Sequence, residues 1–201
     1  MKNFPMFLRM DGRRVVLCGG GEEVARKARL ILKTEAQITL LAPTLEPELA
    51  SLVASARAEH HAEIRAETFE NAALAFIGTG DDDLDLRLAG IARAAGAVVN
   101  VIDRPELCDA FTPSIVDRDP VVVAIGTEGA APVLGRAIKT RIETMLSPRL
   151  GSFVALAGRL RGAVAEAFPH AARRGFWEWA FSGEAWRAHL DGRERQAALL
   201  L

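Results

Sequence analysis

Apolar and polar residues follow two periods along this chain, and the switches between them lay out its elements. Arg13-Arg14-Val15-Val16-Leu17-Cys18 is a short apolar, β-branched run stopped by three glycines, which predicts a buried strand. From Glu22 to about Lys33, Ala25, Ala28, Ile31 and Leu32 lie on one side of a predicted helix. Glu22 and Glu23 fall in its first turn, where acids suit the helix dipole. Gln37 to Leu41 predicts a second strand, and a helix opened by Thr44 runs to about Arg57. Strand, glycine turn, helix and strand in that order make a βαβ unit. The alternation continues with a strand from Ala73 to Thr79, a helix from Leu84 to Ala95 and a buried strand from Ala97 to Ile102. Such repetition predicts a parallel sheet with helices on both faces.

The pattern changes near Pro113. Ser114-Ile115-Val116 and Val121 to Ile125 flank the turn-like Asp117-Arg118-Asp119-Pro120, and together they predict a hairpin. A long helix follows from Pro132, a first-turn proline, to about Met145. Beyond Pro148 the chain is helical and Arg-rich, with Trp177, Trp179 and Trp186 as packing anchors. The fold class is therefore α/β: a Rossmann parallel sheet over 1–112, a small β/α section over 113–147 and a helical domain over 148–201.

Composition narrows the partners. The 201 residues are half hydrophobic and carry a net charge of -1, so the chain as a whole has no electrostatic footprint for nucleic acid. An anionic substrate would need a local patch of Arg and Lys. No apolar run approaches the roughly 20 residues of a membrane span, and the first residues lack a signal peptide's pattern. The expected location is the cytoplasm. Cys18 and Cys108 are too few and too far apart for a disulfide framework or a structural zinc site.

The strongest chemical signal is Gly19-Gly20-Gly21 between the first strand and helix. In a G-x-G turn the first glycine permits the bend and the second lets backbone approach a pyrophosphate at the helix N-terminus. The third glycine position holds Val24, so helix and strand are expected to pack slightly further apart. The second strand ends Leu41-Ala42-Pro43, with neither an acid for a ribose hydroxyl nor an arginine for a 2′-phosphate, which leaves NAD against NADP open. Asp103 directly follows the strand ending at Ile102, where an open α/β sheet places its chemistry. A carboxylate there could accept a proton, hold a divalent metal or merely cap a turn. His60-His61 reads as an exposed connection, and Asp81-Asp82-Asp83 as the cap and first turn of a helix.

Four ordered motifs carry a resemblance. Gly19-Gly20-Gly21 with Arg26-Lys27-Ala28, Asn100-Val101-Ile102-Asp103, Phe111 to Arg118, and Ala131-Pro132-Val133-Leu134-Gly135-Arg136 are similar, in kind and spacing, to the dehydrogenase/ferrochelatase domain of the siroheme synthase family. The resemblance implies a homodimeric, stand-alone precorrin-2 dehydrogenase that uses NAD and makes sirohydrochlorin and NADH. Some members also insert ferrous iron to give siroheme. It implies Asp103 as general base and transient metal-handling residue. Gly19, Gly21, Glu22 and Glu23 fall on its pyrophosphate turn, Pro43 and Thr44 on its adenosine side, and Thr79 also among its cofactor contacts. Asn100, Arg104, Arg118, Thr127 and Arg136 are the implied contacts to the tetrapyrrole, a polycarboxylate that calls for bidentate cations; Lys139 and Arg141 add to that charge. Departures from the family pattern are Thr127 to Ala131 in place of a serine-rich run, Glu128 near a polyanionic substrate, and Asp85 where Asn is usual. The rival function is an NAD-sensing regulatory module without catalysis, which needs neither Asp103 nor the 111–118 segment.

Overall fold

The computed structural model describes residues 1–201 and divides into two units, Met1–Thr112 and Pro113–Leu201. In the first, β1 (Arg14–Cys18), β2 (Gln37–Leu41), β3 (Ala58–His61), β4 (Ala72–Ile77) and β5 (Val98–Val101) alternate with α1 (Glu22–Ile31), α2 (Pro47–Ala54) and α3 (Asp82–Ala94). The sheet order is β3-β2-β1-β4-β5, and every pairing is parallel. The chain order reverses at β1, which has β2 on one side and β4 on the other. A dinucleotide-type fold places its ligand at that switch point.

Strand β1 shows why this sheet is stable. Successive side chains point to opposite faces. Val15 and Leu17 pack with Val24, Ala25, Ala28 and Leu49. Val16 and Cys18 pack with Ala75, Ile77, Leu88 and Val99. These four side chains are fully buried, and Val15, Val16 and Leu17 each contribute about 1.5–3 kcal/mol of apolar burial. Val24, at the third glycine position, is itself fully buried against this strand. The sequence pattern and the two-faced core agree.

Two local readings need correction. The helix expected from Thr44 begins at Pro47, because Glu46 before a proline is held extended at ψ 163°. His60 and His61, expected in a connection, lie in β3 and pair with Leu40 and Leu41. An edge strand with mostly exposed side chains needs no apolar pattern, only its ladder.

The second unit contains β6 (Ser114–Arg118) and β7 (Val121–Ile125), an antiparallel hairpin across a cis Asp119–Pro120 bond. Then come α4 (Pro132–Met145), α5 (Leu150–Ala167), α6 (His170–Ser182), α7 (Glu184–Leu190) and α8 (Glu194–Leu200). Its helical core gathers on Phe153, buried with Ala185, Ala188 and Ala197. The Phe153 ring meets Phe181, Trp186 and His189 at centroid separations of 5.5, 5.1 and 5.1 Å. Trp186 is thus a packing anchor, whereas Trp179 is exposed. No helix is long and apolar enough to cross a membrane.

Candidate active site

The carboxyl ends of β1, β2 and β4 open on a cavity of about 530 Å³ lined by Gly19, Gly20, Gly21, Ala42, Pro43, Thr44, Ile64 and Thr79. The three glycines have different reasons to be there. Gly19 sits at φ +120°, and a Cβ on it would lie 2.2 Å from the Gly78 carbonyl oxygen. A Cβ on Gly20 would lie 1.8 Å from the Thr44 carbonyl oxygen, while its own carbonyl accepts from the Glu46 N–H at 2.8 Å. Gly21 faces open space. It caps α1, whose Glu22 and Glu23 N–H groups donate to no backbone carbonyl. That is a ready site for an anion at a helix N-terminus, and the apolar Leu41-Ala42-Pro43 and Ile64 lining suits a flat base. The residues present therefore fit a dinucleotide.

Thr79 at the cavity wall is fixed from behind. Both its N–H (2.9 Å) and its hydroxyl (2.6 Å) donate to one oxygen of Asp85, which is buried. An acid serves here because both of its partners are donors. Burial, and secondarily the Asp85 charge, push the Cys18 thiol far above its ordinary range.

A second cavity, about 410 Å³, is lined by Glu23, Arg26, Lys27, Leu30, residues 100–105, Cys108, Phe111 and Thr112. The first turn of α1 borders both cavities: Gly21 lines the first and Glu23, two residues on, the second. Asp103 stands here with an exposed carboxylate that makes no hydrogen bond and no ion pair. Its backbone is at φ +57°, a left-handed conformation costly for a residue with a Cβ. Asp103 caps no turn, and it is not buried in a salt bridge. This outlier follows β5, an edge strand of the sheet, and makes Asp103 a candidate functional position.

The other expected contacts divide. Gly19, Gly21, Pro43, Thr44 and Thr79 share the first cavity, and Asn100, Asp103 and Arg104 share the second. Glu22 lines neither, because its carboxylate is held by Arg29 at 3.0 Å. Glu23 lines the Asp103 cavity instead of the glycine one and is paired with Arg26. Both acids are thereby neutralised beside an anion site. Asn100 is buried, and its amide donates to the Ala110 carbonyl at 2.8 Å, which makes it a brace for the 108–110 segment. The Arg104 guanidinium is held by Asp82 (3.0 Å) and Glu106 (2.6 Å), with the Glu106 bond foremost in raising its pKa. Arg118 in the second unit is a structural clamp. Its three nitrogens donate to the carbonyls of Leu146, Asp117 and Glu143 at 3.1, 2.9 and 3.0 Å, closing the C-terminus of α4. Thr127 is half-buried beside Gly135, and Arg136 is exposed on α4.

Residue type alone did not mark Lys27, Cys108 and Thr112 as site residues, although Lys27 stands in the Arg26-Lys27-Ala28 motif. Lys27 donates to the Thr112 hydroxyl at 3.1 Å and lies 5.2 Å above the Phe76 ring. Of the one group of three potential metal ligands, Glu22, Glu46 and Glu48, the first and last are ion-paired with Arg29.

Comparison with known proteins gives the same picture. A family model described as "Putative NAD(P)-binding" matches residues 6–114, and one described as the sirohaem synthase dimerisation region matches 149–201. The chain is 38% identical over 199 residues to a siroheme synthase of Psychrobacter arcticus, covering 98% of this chain and 36% of that protein. It is 40% identical over 203 residues to siroheme synthase 1 of Halorhodospira halophila, covering 98% and 41%. It therefore spans about two fifths of the length of the curated relatives it matches. Among solved structures, that of SirC, precorrin-2 dehydrogenase, superposes with a TM-score of 0.75 at 19% identity, covering 97% of this chain and 98% of that one, a likeness of fold.

Proposed function

The chain belongs to the NAD(P)-binding family that is joined, in siroheme synthases, to a sirohaem synthase dimerisation region, and from that premise we propose that it is an NAD-dependent precorrin-2 dehydrogenase. The observation that carries the reading is the unpaired Asp103 carboxylate, in strained backbone, in a cavity that shares the first turn of α1 with the glycine cleft.

When bound in that cleft, NAD supplies the hydride acceptor. Gly21 and the first N–H groups of α1 would hold the pyrophosphate, and Pro43, Thr44 and Ile64 would flank the adenosine. Thr79, braced by Asp85, would be a further contact to the cofactor on the cavity wall. As a hydride leaves precorrin-2, a C–H or N–H proton passes to a carboxylate oxygen of Asp103, which solvent then discharges through the open face. One hydride and one proton are removed, and sirohydrochlorin remains. Thr127 and Arg136 are the proposed further contacts to substrate carboxylates. Insertion of ferrous iron into sirohydrochlorin, with Asp103 handling the metal, is the further activity that the resemblance implies. The protein acts as a cytoplasmic homodimer; its dimer surface draws on 113–147, where Val122, Val133, Leu134 and Met145 are exposed, and on the 149–201 dimerisation region.

The test is direct. With NAD and freshly made precorrin-2, NADH absorbance rises, and Asp103→Ala lowers the rate by about 10²–10⁴-fold. A wild-type protein that binds NAD and makes no NADH would overturn the reading and favour the sensing module. Loss of free ferrous ion in the presence of sirohydrochlorin tests chelation separately.

A further inference from the structure

Three cations line the Asp103 cavity: Arg26, Lys27 and Arg104. Two of them already have carboxylate partners, Arg26 in Glu23 and Arg104 in Asp82 and Glu106. Lys27 has none. It projects from α1 as a half-buried ammonium whose one hydrogen bond is to the Thr112 hydroxyl, a neutral partner 85 residues along the chain. The Phe76 ring supports it from below at 5.2 Å. An ammonium has three donors, so two remain, and the residue lines a cavity that has Asp103 on its wall. Burial lowers the pKa of this lysine, and only in part do the nearby Cys108 and Asp103 oppose it. Holding a cation partly out of water with no carboxylate in hydrogen-bond contact is unfavourable. A bound anion would remove that penalty.

We propose that Lys27 is the cationic anchor of this cavity, binding one carboxylate of the substrate and so setting the reacting ring against Asp103. The proposal rests on the dehydrogenase reading and names the residue that fixes its substrate's orientation. Thr112 and Phe76 hold the ammonium in place, so one charge-assisted contact orients the ligand without reorganisation of the site. The arginines of the same cavity already share their charge with carboxylates, Arg26 with Glu23 and Arg104 with Asp82 and Glu106.

The experiment titrates sirohydrochlorin, the product and a stable probe, into full-length wild type, Lys27→Met, Lys27→Arg and Thr112→Val. Lys27→Met is expected to weaken sirohydrochlorin binding by about tenfold or more. It should raise the KM for precorrin-2 by a similar factor, lower kcat severalfold because the ring is no longer held against Asp103, and leave NAD affinity unchanged. Lys27→Arg should recover most of the affinity. Thr112→Val keeps the ammonium and removes its tether, so about threefold weaker binding is expected; this variant decides the matter should Lys27→Met fail to fold. Tetrapyrrole affinity unchanged in Lys27→Met, or in Thr112→Val as its stand-in, overturns the anchor and leaves the dehydrogenase reading standing. A wild type that binds no sirohydrochlorin brings down both.

Discussion

Strands β1 and β7 are hard to tell apart as sequence: Arg-Val-Val-Leu-Cys and Val-Val-Val-Ala-Ile are both short, apolar and β-branched. In the fold they differ sharply. β1 lies between two parallel neighbours with α1 against one face, and its last four residues are fully buried. β7 pairs only with β6, and its side chains alternate between half-buried and exposed. The same contrast holds for the helices: four residues of the ten-residue α1 are buried, against Gly135 alone in the longer α4. An apolar run therefore specifies a strand, while the number of layers around it decides how much of that run leaves water. The first unit completes its core from its own residues. The second leaves apolar surface on β7 and α4.

The largest effect tests this contrast by truncation. Leu17→Ala removes a fully buried side chain from a core with little room to collapse, and a loss of about 2–5 kcal/mol is expected in denaturant unfolding. Val122→Ala removes one that is 40% exposed and should cost about 0.5 kcal/mol or less in a monomer. A cost for Val122 comparable to that of Leu17, falling as the protein is diluted, would break the contrast as drawn for one chain. It would show β7 to be buried in a dimer.

Arg118→Ala comes next. Loss of a half-buried guanidinium donating to three carbonyls should destabilise the second unit by about 1–3 kcal/mol. The KM for precorrin-2 should stay at its wild-type value. A raised KM at unchanged stability would restore Arg118 to the substrate and remove its role as the clamp of α4.

Arg118 also shows what the sequence could and could not disclose. The βαβ alternation, the hairpin and the bounds of α4 were legible because they follow from local periodicity, glycine and proline placement. Strand β3 was not, since an exposed edge strand carries no apolar signal. The places of Asp103 and Gly21 in the two cavities were readable, because strand ends and glycine turns fix them. The hydrogen-bond partners of the arginines were not. Whether a guanidinium faces a ligand or neighbouring backbone depends on segments distant in sequence, as with Arg118 and residues 143 and 146. Lys27 escaped for the same reason, its tether to Thr112 being set only by the folded chain.

A smaller effect separates stability from chemistry at one residue. Asp103 sits at φ +57°, which glycine adopts freely. Relief of that conformation is opposed by the greater freedom of glycine in the unfolded chain, so Asp103→Gly should change stability by no more than about 1 kcal/mol. Dehydrogenase activity should be lost. A large destabilisation would instead make Asp103 part of the first unit's framework, like the buried Asp85, whose oxygen holds two donors.

The smallest effect probes how closed the first unit is, through its two thiols. Cys18 is fully buried on the core side of β1, and Cys108 is half-buried at the wall of the Asp103 cavity. Burial raises both pKa values, and for Cys108 the nearby Lys27 and the Val101 hydrogen bond offset part of the rise. The thiolate is the reactive form, so native protein at neutral pH should be alkylated slowly at Cys108 and not at Cys18. Raised folded-state values also mean that the native protein binds more protons than the unfolded chain once pH passes the ordinary thiol value of 9.0. Stability contributed by these thiols is full below that pH and declines above it. Cys18→Ala should flatten this alkaline decline more than Cys108→Ala, because Cys18 is the more deeply buried. Rapid labelling of Cys18 in the native state would mean that the sheet opens readily around β1, and the difference between β1 and β7 would then be one of static packing alone.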